Sequence, residues 1–180
     1  MIEVICGPMF SGKTEELIRR IKRVKIAGEN YIVIKPRIDS RYEGEVDGIS
    51  THDNVSLNAI MLNNCLPDVF YESKDYDVIA IDEAQFFDKY LYQIVRELSD
   101  RGKRVIISGL DTDFRREPFV TMSNLMAIAD RVDKLHSICM GCKKDAVYSL
   151  RTTDEKDLMV IGSSESYIPL CGKCYVQKSK

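Results

Sequence analysis

Three groups of residues in this sequence are spaced for chemistry. Gly7-Pro8-Met9-Phe10-Ser11-Gly12-Lys13-Thr14 fits the pattern G-x-x-x-x-G-K-[ST] without a mismatch. Such a loop needs glycines so that backbone N–H groups can wrap phosphate oxygens, a lysine to reach the β and γ phosphates, and a hydroxyl to ligate Mg²⁺. Lys13 and Thr14 take the last two roles, which points to bound ATP. The second group, Val78-Ile79-Ala80-Ile81-Asp82-Glu83, is an apolar run that ends in two adjacent carboxylates. An acid at the carboxyl end of a parallel strand reaches Mg²⁺ held at a phosphate loop, so Asp82 is assigned to the metal, with Gln85 grouped at the same ATP and Mg²⁺ site. Glu83 is left to accept the proton of an attacking hydroxyl or water as a general base. Taken alone, a strand ending in acids is usually the start of a solvated loop; beside the phosphate loop it reads as functional.

The third group is Cys139, Cys142, Cys171 and Cys174, two C-x2-C pairs. Four thiolates suit one tetrahedral zinc, and four protein ligands leave no open position for water, so the metal is structural. The 28 residues between the pairs exceed the usual ribbon spacing. Loop-closure entropy is logarithmic, however, and the excess costs only about 0.4 kcal/mol. Free core cysteines or a disulfide are the competing readings, and a reducing cytoplasm disfavours the disulfide.

The elements that must position these groups follow from periodicity. Residues 2–6 read as a buried strand and 14–27 as a helix with Leu17, Ile18, Ile21 and Val24 on one face, closed by Gly28. The phosphate loop therefore lies between a strand and a helix N-terminus, where anions bind. Residues 31–34 form a second strand, and the polar stretch 37–58, with Gly44 and Gly48, reads as a long mobile loop. Strands follow at 77–82 and 104–108, helices at 89–100 and 121–129, and a last short strand at 134–138 leads into the first cysteine pair. This alternation implies an α/β fold, a parallel sheet flanked by helices, spanning residues 1–138, with a small zinc-binding domain at 139–180.

The 180 residues hold one ordinary domain with a small appendage. Hydrophobic residues make up 44% and charged residues 30%, enough apolar material for a core. The longest apolar run, 125–129, is far below the roughly 20 residues of a membrane helix, which excludes a transmembrane role. Met1-Ile2-Glu3 places an acid where a secretory signal carries basic residues, so a cytoplasmic protein is expected. With 26 Lys and Arg against 28 Asp and Glu, the net charge of −2 gives no global attraction to nucleic acid. The basic run Arg19, Arg20, Lys22, Arg23 and Lys25 reads as a solvated or subunit-facing helix surface. Two alternatives stay open on the residues alone: a phosphate-loop ATPase acting on nucleic acid through the zinc ribbon, and a non-catalytic nucleotide-binding module.

The motifs in combination resemble one family. GPMFSGKT after the first strand, Thr51-His52-Asp53, the IDEAQFF of residues 81–87, and the cysteine pairs enclosing Val160-Ile161-Gly162 are similar, in order and spacing, to the thymidine kinases of the cellular and poxviral type. The resemblance covers essentially the whole chain, and Met9-Phe10 within the phosphate loop is a specific mark of it.

The resemblance implies transfer of the γ-phosphoryl of ATP to the 5′-hydroxyl of thymidine, with Mg²⁺ as cofactor and Zn²⁺ as a structural ion. Carried over by residue, Glu83 matches the catalytic base and the stretch from Gly7 to Thr14 matches the ATP site. Phe86, Leu110, Phe114 and Phe119 match walls of the nucleoside pocket, with Met9 and Leu110 expected to contact the 5-methyl group. Val160, Ile161, Gly162 and Tyr167 match a lasso that closes over base and sugar, and Asp53 is expected at the sugar or the metal network, or as a plain loop acid. Phe119 and Tyr167 are expected to sandwich the pyrimidine. The family also implies a homotetramer inhibited by thymidine triphosphate, with no nucleic-acid or membrane partner. The sequence departs from it in having Cys174 where many relatives have His, Leu110-Asp111-Thr112-Asp113-Phe114 where they read LDGTF, and Asn54 where they often have Arg. The cation for the transferring phosphate must then come from elsewhere, with Arg115, Arg116, Arg41 and Lys35 as candidates.

Overall fold

The computed structural model describes residues 1–37, 48–50, 56–63, 66–153 and 166–178. Four β-branched-rich runs form strands β1 (Ile2–Cys6), β2 (Tyr31–Pro36), β6 (Val78–Ile81) and β7 (Arg104–Gly109), and the polar Arg131–Lys134 forms β8. With the short β5 (Ile60–Leu62) they make one six-stranded sheet in the order β5-β2-β6-β7-β1-β8. Every pairing in it is parallel. Parallelism brings the carboxyl ends of β1, β6 and β7 to one edge, with Cys6 opposite Gly109 and Ile81 opposite Ile107.

The two-residue period of the strands divides the core. Val4, Ile34, Ile79, Ile81, Val105 and Ile107 face one layer, where α2 (Leu66–Ser73), α3 (Leu91–Asp100) and α4 (Val120–Ile128) contribute Val69, Leu91, Val95, Leu98, Met122 and Leu125. Ile5, Val33, Val78, Ala80 and Ile106 face the other, covered by Leu17, Ile18, Ile21 and Val24 of α1 (Lys13–Ala27). Strands buried on both faces explain why these runs are apolar throughout rather than alternating. Helix α1 ends as its sequence predicts: Gly28 takes a left-handed φ of 75°, and the amides of Gly28 and Glu29 return to the carbonyls of Lys25 and Val24.

Of the basic run on α1, Arg19, Lys22, Arg23 and Lys25 are exposed, as a solvated or subunit-facing surface requires, and Arg20 alone is a correction. Its side chain is only 5% exposed and holds three carboxylates: Glu3 at 2.6 Å, Asp133 at 2.7 Å and Glu16 at 2.9 Å. Glu3, on the same face of β1 as Ile5, also takes Arg104 of β7 at 2.6 Å, and Asp133 takes Arg131 at 2.7 Å. One ion cluster thus ties α1 to β1, β7 and β8.

The stretch 37–58 is not entirely loop. β3 (Gly48–Ser50) and β4 (Ser56–Asn58) pair antiparallel within it, and β5 and α2 follow before β6. The expected strand at 134–138 is two: β8 closes the main sheet, while β9 (Ser137–Ile138) pairs antiparallel with β10 (Asp145–Ala146). Beyond it, β11 (Tyr148–Arg151) and β12 (Tyr167–Leu170) form a hairpin followed by α5 (Gly172–Lys178). Cys139, Ala146, Leu170 and Tyr175 give this region its own small core. Among the described residues, no helix is long and apolar enough to cross a membrane.

Candidate active site

The phosphate loop leaves β1 at Gly7, whose φ of +143° is open to glycine, and a Cβ there would collide with the carbonyl oxygen of Leu135. Gly12, at φ +81°, turns the chain into α1. Ser11 Oγ and Lys13 Nζ both donate to the carbonyl of Pro8 at 2.8 Å, so the loop is curled around its own donors. Burial pushes the Lys13 ammonium below its ordinary pKa, while the charges of Glu83, Asp82 and Asp111 act the other way.

Asp82 follows β6 directly. Its Oδ2 lies 3.4 Å from Thr14 Oγ1, and its Oδ1 accepts a hydrogen bond from Ser108 of β7. Burial, reinforced by the charge of Glu83, pushes the Asp82 carboxyl up to about 6, against the Ser108 hydrogen bond and the charge of Lys35. This buried acid beside the Thr14 hydroxyl suits a hard cation with oxygen ligands. Glu83 stands at φ 52°, ψ 39°, a left-handed backbone that turns the chain off the strand into the 3-10 turn Ala84–Phe86. Its carboxylate accepts from Gln85 Nε2 at 2.5 Å, and Gln85 Oε1 accepts from the Leu110 amide at 3.0 Å.

The aromatic residues fall into two groups. Phe86 and Phe119 meet edge to face, centroids 6.4 Å apart. Phe114 and Tyr167 lie around Arg151 instead: the guanidinium sits 3.8 Å from the Phe114 ring centroid and donates to the Tyr167 hydroxyl at 2.7 and 3.1 Å. Phe119 thus lies beside Phe86, and Tyr167 beside Arg151. Leu110 begins the segment that carries Phe114 and Phe119. In that segment Asp113 is turned inward, accepting the amides of Arg115 at 2.8 Å and Glu117 at 2.9 Å, so the extra carboxylate closes a turn. Asp111 pairs with Lys134 at 2.6 Å, and its buried Oδ1 has no hydrogen-bond partner among the described residues.

Among the described residues, Lys35 is the candidate cation whose charge is felt at Asp82. Arg115 lies over Phe114, and Arg116 over Tyr148 and Tyr175. Arg41, Asp53, Val160, Ile161 and Gly162 lie outside the described residues.

The sulfurs of Cys139, Cys142, Cys171 and Cys174 all lie within 4.8 Å of one another, and those of Cys142 and Cys171 are 3.7 Å apart. Four sulfurs about 2.3 Å from a common centre stand about 3.8 Å apart, so the donor set fits zinc. The Cys171 amide donates to Cys139 Sγ at 3.2 Å, and a Cβ on Gly141 would come within 2.8 Å of Cys174 Sγ. Two bonds join the elements around this centre to the rest of the chain: Tyr175 Oη of α5 donates to the Phe114 carbonyl at 2.5 Å, and the Met9 amide of the phosphate loop donates to Ser149 Oγ of β11 at 2.9 Å.

Ser108, Lys134, Ser149 and Arg151 escaped the sequence reading. Ser108 did leave a signal, a polar residue inside an otherwise apolar strand two positions before Leu110. The other three lie far along the chain from their partners, and no local pattern marks them.

The family model described as thymidine kinase matches residues 1–175. The thymidine kinase of Porphyromonas gingivalis is 47% identical over 174 residues, covering 97% of this chain and 84% of the relative. Those of Bacteroides thetaiotaomicron (46% over 176 residues; 98% and 87% covered) and Mycoplasma mobile (44% over 177 residues; 98% and 88% covered) are similar at nearly the same level. A phosphate loop after β1, an acid pair after β6 of the same parallel sheet and a four-cysteine cluster all fall within the residues that the family model matches, and the protein belongs to the thymidine kinase family.

Proposed function

We propose that the chain transfers the γ-phosphoryl group of ATP to the 5′-hydroxyl of thymidine, with Glu83 as general base. The single observation that carries the residue roles is the convergence of Lys13, Thr14, Asp82 and Glu83 at one edge of the parallel sheet. Family membership supports the substrates.

In the transfer, O5′ of thymidine bonds to Pγ while the bond from Pγ to the β,γ-bridging oxygen breaks and ADP leaves. The hydroxyl proton passes to the Glu83 carboxylate. Lys13 exchanges the neutral Pro8 carbonyl for phosphate oxygens, a stronger charge-assisted contact, and the loop from Gly7 to Thr14 supplies the amides around them. Thr14 and Asp82 would hold Mg²⁺, which when bound neutralises charge on the β and γ phosphates. Lys35 is the candidate cation for the transferring group, supported by its charge acting on Asp82.

Phe86, Phe119, Leu110 and Phe114 form the nucleoside walls in this reading, with Met9 toward the 5-methyl group. Val160, Ile161, Gly162 and Tyr167 close over the base, and Asp53 serves the sugar or the metal network. Family resemblance supports these assignments, and the edge-to-face contact of Phe86 with Phe119 supports that pair further. Zinc at the four cysteines keeps the ends of the closing segment in place. The same membership supports a homotetramer, inhibition by thymidine triphosphate and a cytoplasmic location. The competing reading, an ATPase acting on nucleic acid, is disfavoured by the net charge of −2 and by the engagement of Arg20 in the interior.

The test is ATP consumption with Mg²⁺ and thymidine, deoxyuridine, deoxycytidine, single-stranded DNA or no acceptor, with the product identified. Turnover that needs thymidine and yields its 5′-monophosphate is expected. Turnover indifferent to nucleosides and stimulated by DNA would overturn the proposal.

A further inference from the structure

Gln85 is only 5% exposed, so both ends of its side-chain amide need partners inside the protein. The Leu110 amide is a donor and can meet only the oxygen, at 3.0 Å. That fixes the rotamer: the NH₂ end must face Glu83, whose Oε2 lies 2.5 Å away. Turning the amide over would set a donor against a donor and an oxygen against a carboxylate. The slot also depends on Gly109, since a Cβ there would come within 2.7 Å of both Gln85 Oε1 and Met122 Sδ.

Glu83 needs such a tie. It leaves the strand with a left-handed backbone, and its neighbour Asp82 is anchored by Ser108, whereas among the described residues the Glu83 carboxylate is hydrogen-bonded by Gln85. The grouping of Gln85 with the ATP and Mg²⁺ site is not what its contacts favour, because its donor end meets Glu83 and its oxygen meets Leu110.

We propose that Gln85 is a positioning residue that aims the Glu83 carboxylate and fastens it to the start of the 110–119 segment. The inference rests on the reading of Glu83 as the base. Since Leu110 leads into Phe114 and Phe119, one buried amide then sets the distance between the base and the nucleoside wall. A misplaced base costs turnover more than binding, because its interaction with the hydroxyl proton develops in the transition state.

The experiment measures kcat, both KM values and the thermal midpoint for Gln85→Glu, Gln85→Met and Glu83→Gln beside wild type. Gln85→Glu still accepts from the Leu110 amide but offers Glu83 no neutral donor. Its kcat is expected to fall about 10- to 100-fold, the worth of a hydrogen bond to a charged group, with both KM values within about threefold of wild type. Gln85→Met loses both bonds, so its kcat falls at least as far and its KM for thymidine rises as well. A folded Gln85→Glu with kcat within about threefold of wild type, beside an inactive Glu83→Gln, would overturn the positioning role. If Glu83→Gln also keeps its activity, the base assignment fails instead, and the inference fails with it. Should Gln85→Glu not fold, Gln85→Met decides by the same threefold criterion on kcat.

Discussion

Arg20→Met removes the cation at the centre of the ion cluster while keeping an unbranched apolar stem in its place. Glu3 is then left, 3% exposed, with Arg104 alone, whose side chain is one-third exposed. Breaking a buried pair by deleting one partner costs about 3–5 kcal/mol, because a charge stays behind in the interior. Glu16 and Asp133 add little to this figure, since they retain Arg19 and Arg131 and are partly solvated. For a chain of this length about 1 kcal/mol lowers the midpoint by about 2–4 °C, so the expected drop is about 6–20 °C. Urea unfolding of wild type, Arg20→Met, Glu3→Gln and the double variant gives the coupling directly, provided the slope m is unchanged. The paired apolar replacement Glu3→Met with Arg20→Met should be less destabilised than Arg20→Met alone, because it leaves no unmatched carboxylate. An Arg20→Met protein within about 1 kcal/mol of wild type at equal m would refute the claim that this cluster holds α1 to the sheet.

Three further outcomes are expected. The Arg19 hydrogen bond, working against partial burial and helped by Arg20, holds the Glu16 carboxyl at about 2 against an ordinary 4.5. Its folded pKa is depressed, so its stabilisation is fully present above about pH 4.5 and is lost as pH falls toward 2; Glu16→Gln should flatten the fall in unfolding free energy over that window. The effect is at most about 3 kcal/mol and shrinks in high salt, because Arg19 is exposed; an unchanged pH slope would contradict it. Burial, with the nearby charge of Asp111, pushes the Cys6 thiol up to about 11. Alkylation of the native protein at pH 8 should therefore spare Cys6 until unfolding, and rapid labelling there by mass spectrometry would show the thiol to be open. Cys174→Ser should lower zinc content and weaken amide protection in Tyr148–Arg151, since that strand is packed against the cysteine centre. Undiminished zinc and protection would exclude Cys174 as a ligand.

What the sequence made legible was local. The phosphate loop, the acids after Ile81 and the two cysteine pairs are short patterns whose chemistry follows from spacing, and the strands that carry them are buried on both faces, so their apolar runs stand out. The misread parts depend on partners distant in the chain. The burial of Arg20 follows from Glu3 and Asp133, 17 and 113 positions away, and composition gives no hint of it. β5 is three residues long and exists as a strand because it pairs with Ile34, Lys35 and Pro36, an interaction no periodicity announces. Helix α2 did carry a start signal, Pro67 followed by Asp68, inside a stretch too short to show a helical period. The aromatic walls were named from family resemblance, which gave the residue types but not the Arg151 bridge between Phe114 and Tyr167.

The central claim is that Glu83 takes the proton from the thymidine 5′-hydroxyl. Single-turnover transfer from labelled ATP by Glu83→Gln, with ATP binding measured separately, tests it most directly. ATP affinity is expected within about threefold of wild type and transfer slowed about 10²- to 10⁴-fold, the contribution of a positioned base. Near-normal transfer by a folded Glu83→Gln protein would contradict it.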